Sequence, residues 1–161
     1  CQIFMEKFKE KADLNSKVSF VQGRRMAREN ALQVLYMIDI MKFLPGEALD
    51  IFSRHFSELE DKTIDGYVRD LVYGTLDHLE EIDKLIESYA KNWVIKRMAI
   101  VDRNILRFAV FELLYREDIP WKVSINEAIE VAKKYGNTDS NKFVNGILDK
   151  IIVEKKGASS Q

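Results

Sequence analysis

The stretch IKRMAIVDRNILRFAVFELLY, Ile95 to Tyr115, decides how this chain folds. Ile100, Ile105, Leu106, Ala109, Val110, Leu113 and Leu114 are spread around nearly the whole circumference of a helix, without the strict alternation a half-buried strand would show. A helix that is apolar on every side must be enclosed by other elements. It is therefore read as the central buried helix, with Pro120 closing its influence.

Toward the C-terminus, SINEAIEVAKKYG places Ser124 and Glu127 in capping-box spacing and Gly136 where a left-handed C-cap is wanted. Asp139 or Ser140 can cap a last helix with the stripe Val144, Ile147, Leu148 and Ile151. Toward the N-terminus, Ile64 to Tyr89 is helical in pattern and splits near Asp77. EALDIFSRHFSEL sets Leu49, Phe52 and Phe56 on one face, and a firm helix from Arg24 to Lys42 stops at the Pro45-Gly46 breaker. No alternating strand pattern occurs, so the chain reads as all-α with about seven helices. Residues 1–22 read as a loosely attached arm, 23–153 as the helical domain and 154–161 as a polar tail.

The 161 residues suffice for one domain, or for two small subdomains sharing a core. Their 47% apolar and 32% charged content, with 7 Gly and 2 Pro, suits a helical globular protein. Cys1 is the one cysteine, and no stretch resembles a signal sequence or a membrane span, which points to a reducing cytoplasm. Cys1 also stands where an initiating Met is expected, which suggests a fragment. The net charge of −1 hides an asymmetry: residues 1–30 sum to +3, 46–90 to −8 and 91–161 to +4.

Catalytic and metal chemistry has little to stand on. His55 and His78 fall on different predicted helices, without a ligand partner three or four residues away. There is no glycine-rich phosphate loop, no nucleophile elbow and no cysteine placed for covalent work. Glu80, Glu81 and Asp83 read most simply as a solvated face. The expectation is a protein that is not an enzyme and uses neither metal nor cofactor.

Two stretches break local rules. Arg24, Arg25 and Arg28 crowd the head of a helix, where the macrodipole favours carboxylates over cations. A pair between Arg25 and Glu29 would account for one of them; a polyanion outside the chain would account for all three. In DSNKFVNGILDK, Gly146 sits inside a helical pattern at a cost of about 1 kcal/mol, which suggests a close approach to its backbone. Phe143 lies at the flank of the apolar stripe, read either as core or as a half-exposed ring for base stacking.

RRMARENALQVLY, VDRNILRFAVFELLY, IPWKVSINEAIEVAKKYG and DSNKFVNGILDK, in this order and spacing, resemble the NusB family of bacterial transcription antitermination factors over about residues 24–152. The resemblance implies an all-helical fold of two three-helix groups packed at an angle. It implies binding of boxA-type single-stranded RNA from ribosomal RNA operon transcripts together with NusE, a ribosomal protein, and indirect attachment to the elongating RNA polymerase. The RNA-binding positions it implies are Arg24, Arg25, Arg28, Tyr36, Asp139, Lys142, Phe143 and Asn145. Asp102 and Arg103, on an exposed edge of the central helix, are implied as partner contacts, and acidic Glu80 and Glu81 suit a basic partner. Monomer and homodimer both stay open. So does a second reading, the N-terminal RNA-binding domain of a ribosomal RNA cytosine methyltransferase, which shares the fold.

Overall fold

The computed structural model describes residue 2 and residues 20–55, 62–91 and 93–159. Among the described residues the chain forms seven α-helices: α1 Phe20–Met41, α2 Pro45–His55, α3 Lys62–Asp77, α4 Leu79–Tyr89, α5 Ile100–Tyr115, α6 Trp121–Tyr135 and α7 Ser140–Ser159. A 3-10 turn, Ile95–Arg97, precedes α5. The helices divide between two units, Cys1–Gly74 and Thr75–Gln161, with the boundary inside α3. Most of the arm expected over residues 1–22, and Phe56 on its expected helix face, lie outside the described residues, but 20–22 already belong to α1, which starts four residues before the expected Arg24.

In the first unit α1 buries Ala27, Ala31, Leu32 and Leu35, α2 buries Ala48, Leu49 and Phe52, and α3 buries Val68 and Leu71. Each set recurs at three- and four-residue steps, so each helix gives the interior one stripe. Between α1 and α2 the chain turns at Lys42, whose φ of 59° is left-handed. Pro45 is the first residue of α2 rather than only the terminator of α1, a position where its fixed φ suits the helix and its missing N–H costs nothing. The amide of Leu44 donates to Glu47 Oε2 at 3.1 Å, the reciprocal half of a capping box.

In the second unit α5 is the central helix that its sequence requires, packed against α4, α6 and α7. Phe108, Ile105, Leu106, Ala109 and Val110 are fully buried, as are Ile82 and Ile86 of α4 and Leu148 of α7. This unit holds α4 to α7 and the last residues of α3. The central helix also starts later than its apolar content suggests. Met98 is extended at φ −67°, ψ 149°, so the helix opens only at Ile100, and its two end residues Ile100 and Leu114 are partly buried.

Local signals around α6 and α7 need correction. The carbonyl of Pro120 accepts from the amides of Val123 and Ser124, starting α6 one turn earlier than a capping box at Ser124 would. Ser124 is thus buried inside the helix, its hydroxyl without a partner. Gly136 is extended at φ −86°, ψ −172°, not left-handed. The glycine answers to space: a Cβ there would lie 2.4 Å from Ser140 Oγ and 2.8 Å from the carbonyl oxygen of Ala132. Gly146, by contrast, has nothing within 4 Å of a Cβ, so among the described residues none makes the expected close approach to its backbone. The polar tail is not separate, because α7 continues to Ser159.

Candidate nucleic-acid interface

In the first unit, two of the three α1 arginines, Arg24 and Arg28, gather on the aromatic ring of Tyr67, a residue of α3. Arg24 Cζ lies 4.0 Å from the centre of the Tyr67 ring and Arg28 Cζ 5.6 Å from it. Arg28 Nη2 also donates to the Tyr67 hydroxyl at 3.4 Å. Helix α1 starts at Phe20, so the three arginines lie beyond its first turn and not at the head that the sequence suggested, and the negative face of the Tyr67 ring is what Arg24 and Arg28 meet. Arg24 and Arg25 are half-buried, whereas Arg28 is only 2% exposed. Arg28 is thus spent largely on holding α1 to α3. Tyr36, half-buried, lies 8 residues beyond Arg28 on the same helix, about 12 Å along its axis.

In the second unit, a tight turn presents the head of α7. Asn137 Oδ1 accepts from the amide of Asp139 at 2.9 Å, and the amide of Asn137 donates to Ser140 Oγ at 2.9 Å. The carbonyl of Asp139 accepts from the amide of Phe143 at 3.0 Å, so Asp139 holds the N-cap position. Asp139 and Lys142 are exposed, and Phe143 and Asn145 are half-buried. Phe143 is therefore neither a core residue nor a free one. These four residues come together at one helix head, while Arg24, Arg25, Arg28 and Tyr36 belong to α1 in the other unit.

Asp102 does not sit on an exposed edge. It is 6% exposed in the first turn of α5, and the Ser140 hydroxyl donates to its carboxyl. Helix α5 turns this position inward because the residue shares a face with Ile105, Leu106 and Ala109. Burial pushes the Asp102 carboxyl above the ordinary aspartate range, against the lowering effect of Ser140. The folded chain thus holds this proton to higher pH than the unfolded chain. The stability so gained is complete below the ordinary aspartate value, about 4, and is lost as pH rises through the raised folded value. Asp102→Asn, which cannot ionise, should melt above the parent chain at pH 7, and the gap should close as the pH falls toward 4. Thermal melts across that range check it; a variant that melts lower at every pH would show that Ser140 needs the carboxylate.

The acidic group of α4 also divides. Glu80 is exposed and pairs with Lys84 at 3.0 Å, which lowers its carboxyl below the usual range. Glu81 accepts from the Tyr115 hydroxyl at 2.6 Å, which raises that phenol, and the His78 ring stacks on Tyr115 at 3.9 Å. Asp83 is half-buried and not simply solvated: its two oxygens accept from Arg107 Nε and Nη2 at 2.8 and 2.9 Å. Arg103, half-buried, donates to the carbonyl of Lys96 at 3.3 Å. Among the described residues no group of three or more His, Cys, Asp or Glu side chains could hold a metal ion, and no helix is long and apolar enough to cross a membrane.

Beside the head of α7 lies a cavity of about 760 Å³, lined by Asp102, Asn137, Asp139 and Phe143 and by two residues the sequence reading passed over, Trp93 and Arg97. The only signal for Trp93 was a large aromatic residue in a short connection between helices. Volumes of this size are usual for small-molecule and cofactor sites.

A family model described as the NusB family matches residues 25–153. The chain is 49% identical over 141 residues to the transcription antitermination protein NusB of Desulforamulus reducens, covering 85% of this chain and 94% of the relative. Among solved structures, T. maritima NusB aligns with a TM-score of 0.72 and 40% identity over 80% of this chain and 89% of that one. A crystal structure of the antitermination factors NusB and NusE in complex with dsRNA aligns with a TM-score of 0.74 and 32% identity over 80% of this chain and 95% of that one.

Proposed function

The chain belongs to the NusB family, and from that premise we propose that it acts in the cytoplasm as a non-enzymatic transcription antitermination factor, binding boxA-type RNA of ribosomal RNA operon transcripts together with NusE. The observation that carries the reading is the likeness to a NusB solved with NusE and RNA. The relative from D. reducens, an antitermination protein matched over 94% of its length, favours the factor over the methyltransferase domain.

In this reading each unit supplies one grip on the RNA. Arg24 and Arg25 hold phosphates, with Arg28 and Tyr67 fixing α1 against α3. Lys142 holds a further phosphate, and Asp139 and Asn145 meet base edges. Phe143 and Tyr36 offer ring faces to unpaired bases, which supports a single strand as the natural ligand. Glu80, Glu81 and Arg103 face the basic partner, whereas buried Asp102 serves the RNA side by holding Ser140 and the turn that presents Asp139. Two weak grips and a protein partner add as linked contacts do, so NusE should raise the apparent affinity without a new RNA contact on this chain.

Anisotropy titration of a boxA-type single-stranded RNA, with and without purified NusE, tests this. Binding should be at least about tenfold tighter with NusE present, and a shuffled RNA of equal length should bind more weakly in both cases. Equal affinity with and without NusE would overturn the joint mechanism.

A further inference from the structure

The cavity beside the head of α7 differs from other charged parts of the second unit. There, Lys84 pairs with Glu80, Arg107 with Asp83, Arg116 with Asp118 and Lys133 with Glu130. Around the cavity the Arg97 guanidinium, the Trp93 indole N–H, the Asp139 carboxylate and the Asn137 Nδ2 group make no hydrogen bond or ion pair with the described residues. Asp102 Oδ1 is buried and has no hydrogen-bond partner among the described residues. The Trp93 ring is 53% exposed, so it forgoes apolar burial that a flat ligand would restore.

These features select the chemistry of an occupant. Two aromatic rings ask for a planar ligand, and donors beside acceptors ask for a ring edge with both kinds of group. A bare phosphate would leave the rings unused and meet two carboxyl groups. An aliphatic ligand would leave the polar groups desolvated without partners, which is unfavourable for each one buried. A nucleobase meets all of these requirements.

We propose that this cavity receives one unpaired nucleobase of the bound RNA, seated against the Trp93 and Phe143 rings with its edge on Asn137 and Asp139, and that Arg97 takes the adjoining phosphate. The proposal rests on the RNA-binding reading above and adds Trp93 and Arg97 to it. Phe143 and Asp139 then act on a base held in a pocket, not on one lying across an open surface.

Trp93 is exposed, so Trp93→Ala should leave the melting temperature unchanged, and circular-dichroism melts check that. In anisotropy titrations with boxA-type single-stranded RNA it should bind about tenfold more weakly, with the salt dependence unchanged, and Trp93→Phe should recover most of the loss. Arg97→Ala should instead lower the salt slope by about 0.7, one phosphate contact on a single strand. An abasic nucleotide moved along the RNA should weaken binding to the parent chain at one position and have no effect there on Trp93→Ala. In a Trp121→Phe background, Trp93 fluorescence should be quenched by the RNA and not by adenosine monophosphate at the same concentration. Saturable quenching by the monophosphate would overturn the RNA-borne base and make the cavity a free-nucleotide site. Unchanged RNA affinity of Trp93→Ala, with no abasic position coupled to it, would overturn the cavity assignment while leaving RNA binding by the parent chain in place. A parent chain that binds no RNA would overturn the underlying reading as well.

Discussion

Replacing Arg24 and Arg25 together by alanine is expected to weaken binding of boxA-type RNA about a hundredfold and to lower the slope of log affinity against log salt by about 1.4. The first figure follows from two charge-assisted hydrogen bonds, each worth about a factor of ten. The second follows from two lost phosphate contacts at about 0.7 each on a single strand. Fold stability should change little, since both side chains are half-exposed and a cation–ring contact such as that of Arg24 with Tyr67 is worth only about 0.5 to 1 kcal/mol at an exposed site. Arg28→Ala should behave differently. Its guanidinium is buried on Tyr67 and bonded to that hydroxyl, so the variant should lose stability as well as affinity. Titrations at two salt concentrations, beside thermal melts, separate the two kinds of arginine. An Arg24, Arg25 double variant with an unchanged salt slope would remove α1 from the RNA contact.

The second large effect concerns stability. Arg107 and Asp83 join α5 to α4 through two parallel bonds, their side chains only 11% and 19% exposed. Arg107 Nη1 also donates to Asn104 Oδ1 at 3.1 Å, and Asn104 Nδ2 to the carbonyl of Ile100 at 2.9 Å, so the pair belongs to a fixed network. Arg107→Ala should therefore destabilise the chain by about 3 kcal/mol, much of it the cost of leaving Asp83 with an unpaired charge. The double variant Arg107→Met, Asp83→Asn should recover part of the loss, because it removes both charges together. Urea unfolding measures both. A cost below about 1 kcal/mol for Arg107→Ala would mean that the pair behaves as a solvent-exposed one.

How far the sequence could be read depended on whether a residue's role is local. The apolar circumference of Ile100 to Leu114 and the stripes at Leu49, Phe52, Ile147 and Leu148 reported helices and their buried faces correctly, because periodicity is a property of one segment. The break near Asp77 was legible for the same reason. Capping signals were weaker. Ser124 has the right neighbours for a cap, yet Pro120 offers its carbonyl a turn earlier, and Gly136 is needed for the room that Ser140 takes, not for its dihedral freedom. At the candidate site, the α1 arginines and the stretch around Gly146 and Phe143 drew notice through local pattern, although the helix start at Phe20 removes the dipole argument for the arginines. Tyr67, Trp93 and Arg97 break no local rule, and only tertiary packing brings them beside Arg24, Phe143 and Asp139. Asp83 was misread as surface for the same reason, since its partner lies 24 residues away.

The most direct test of the account is transcriptional read-through. In a reconstituted bacterial elongation system lacking only this factor, adding the chain should raise read-through of a terminator placed downstream of a boxA-bearing leader. The gain should require NusE, vanish when the boxA element is shuffled, and fall sharply with the Arg24, Arg25 double variant. Unchanged read-through from the parent chain, under conditions where it binds the leader RNA and NusE, would contradict the assignment as an antitermination factor.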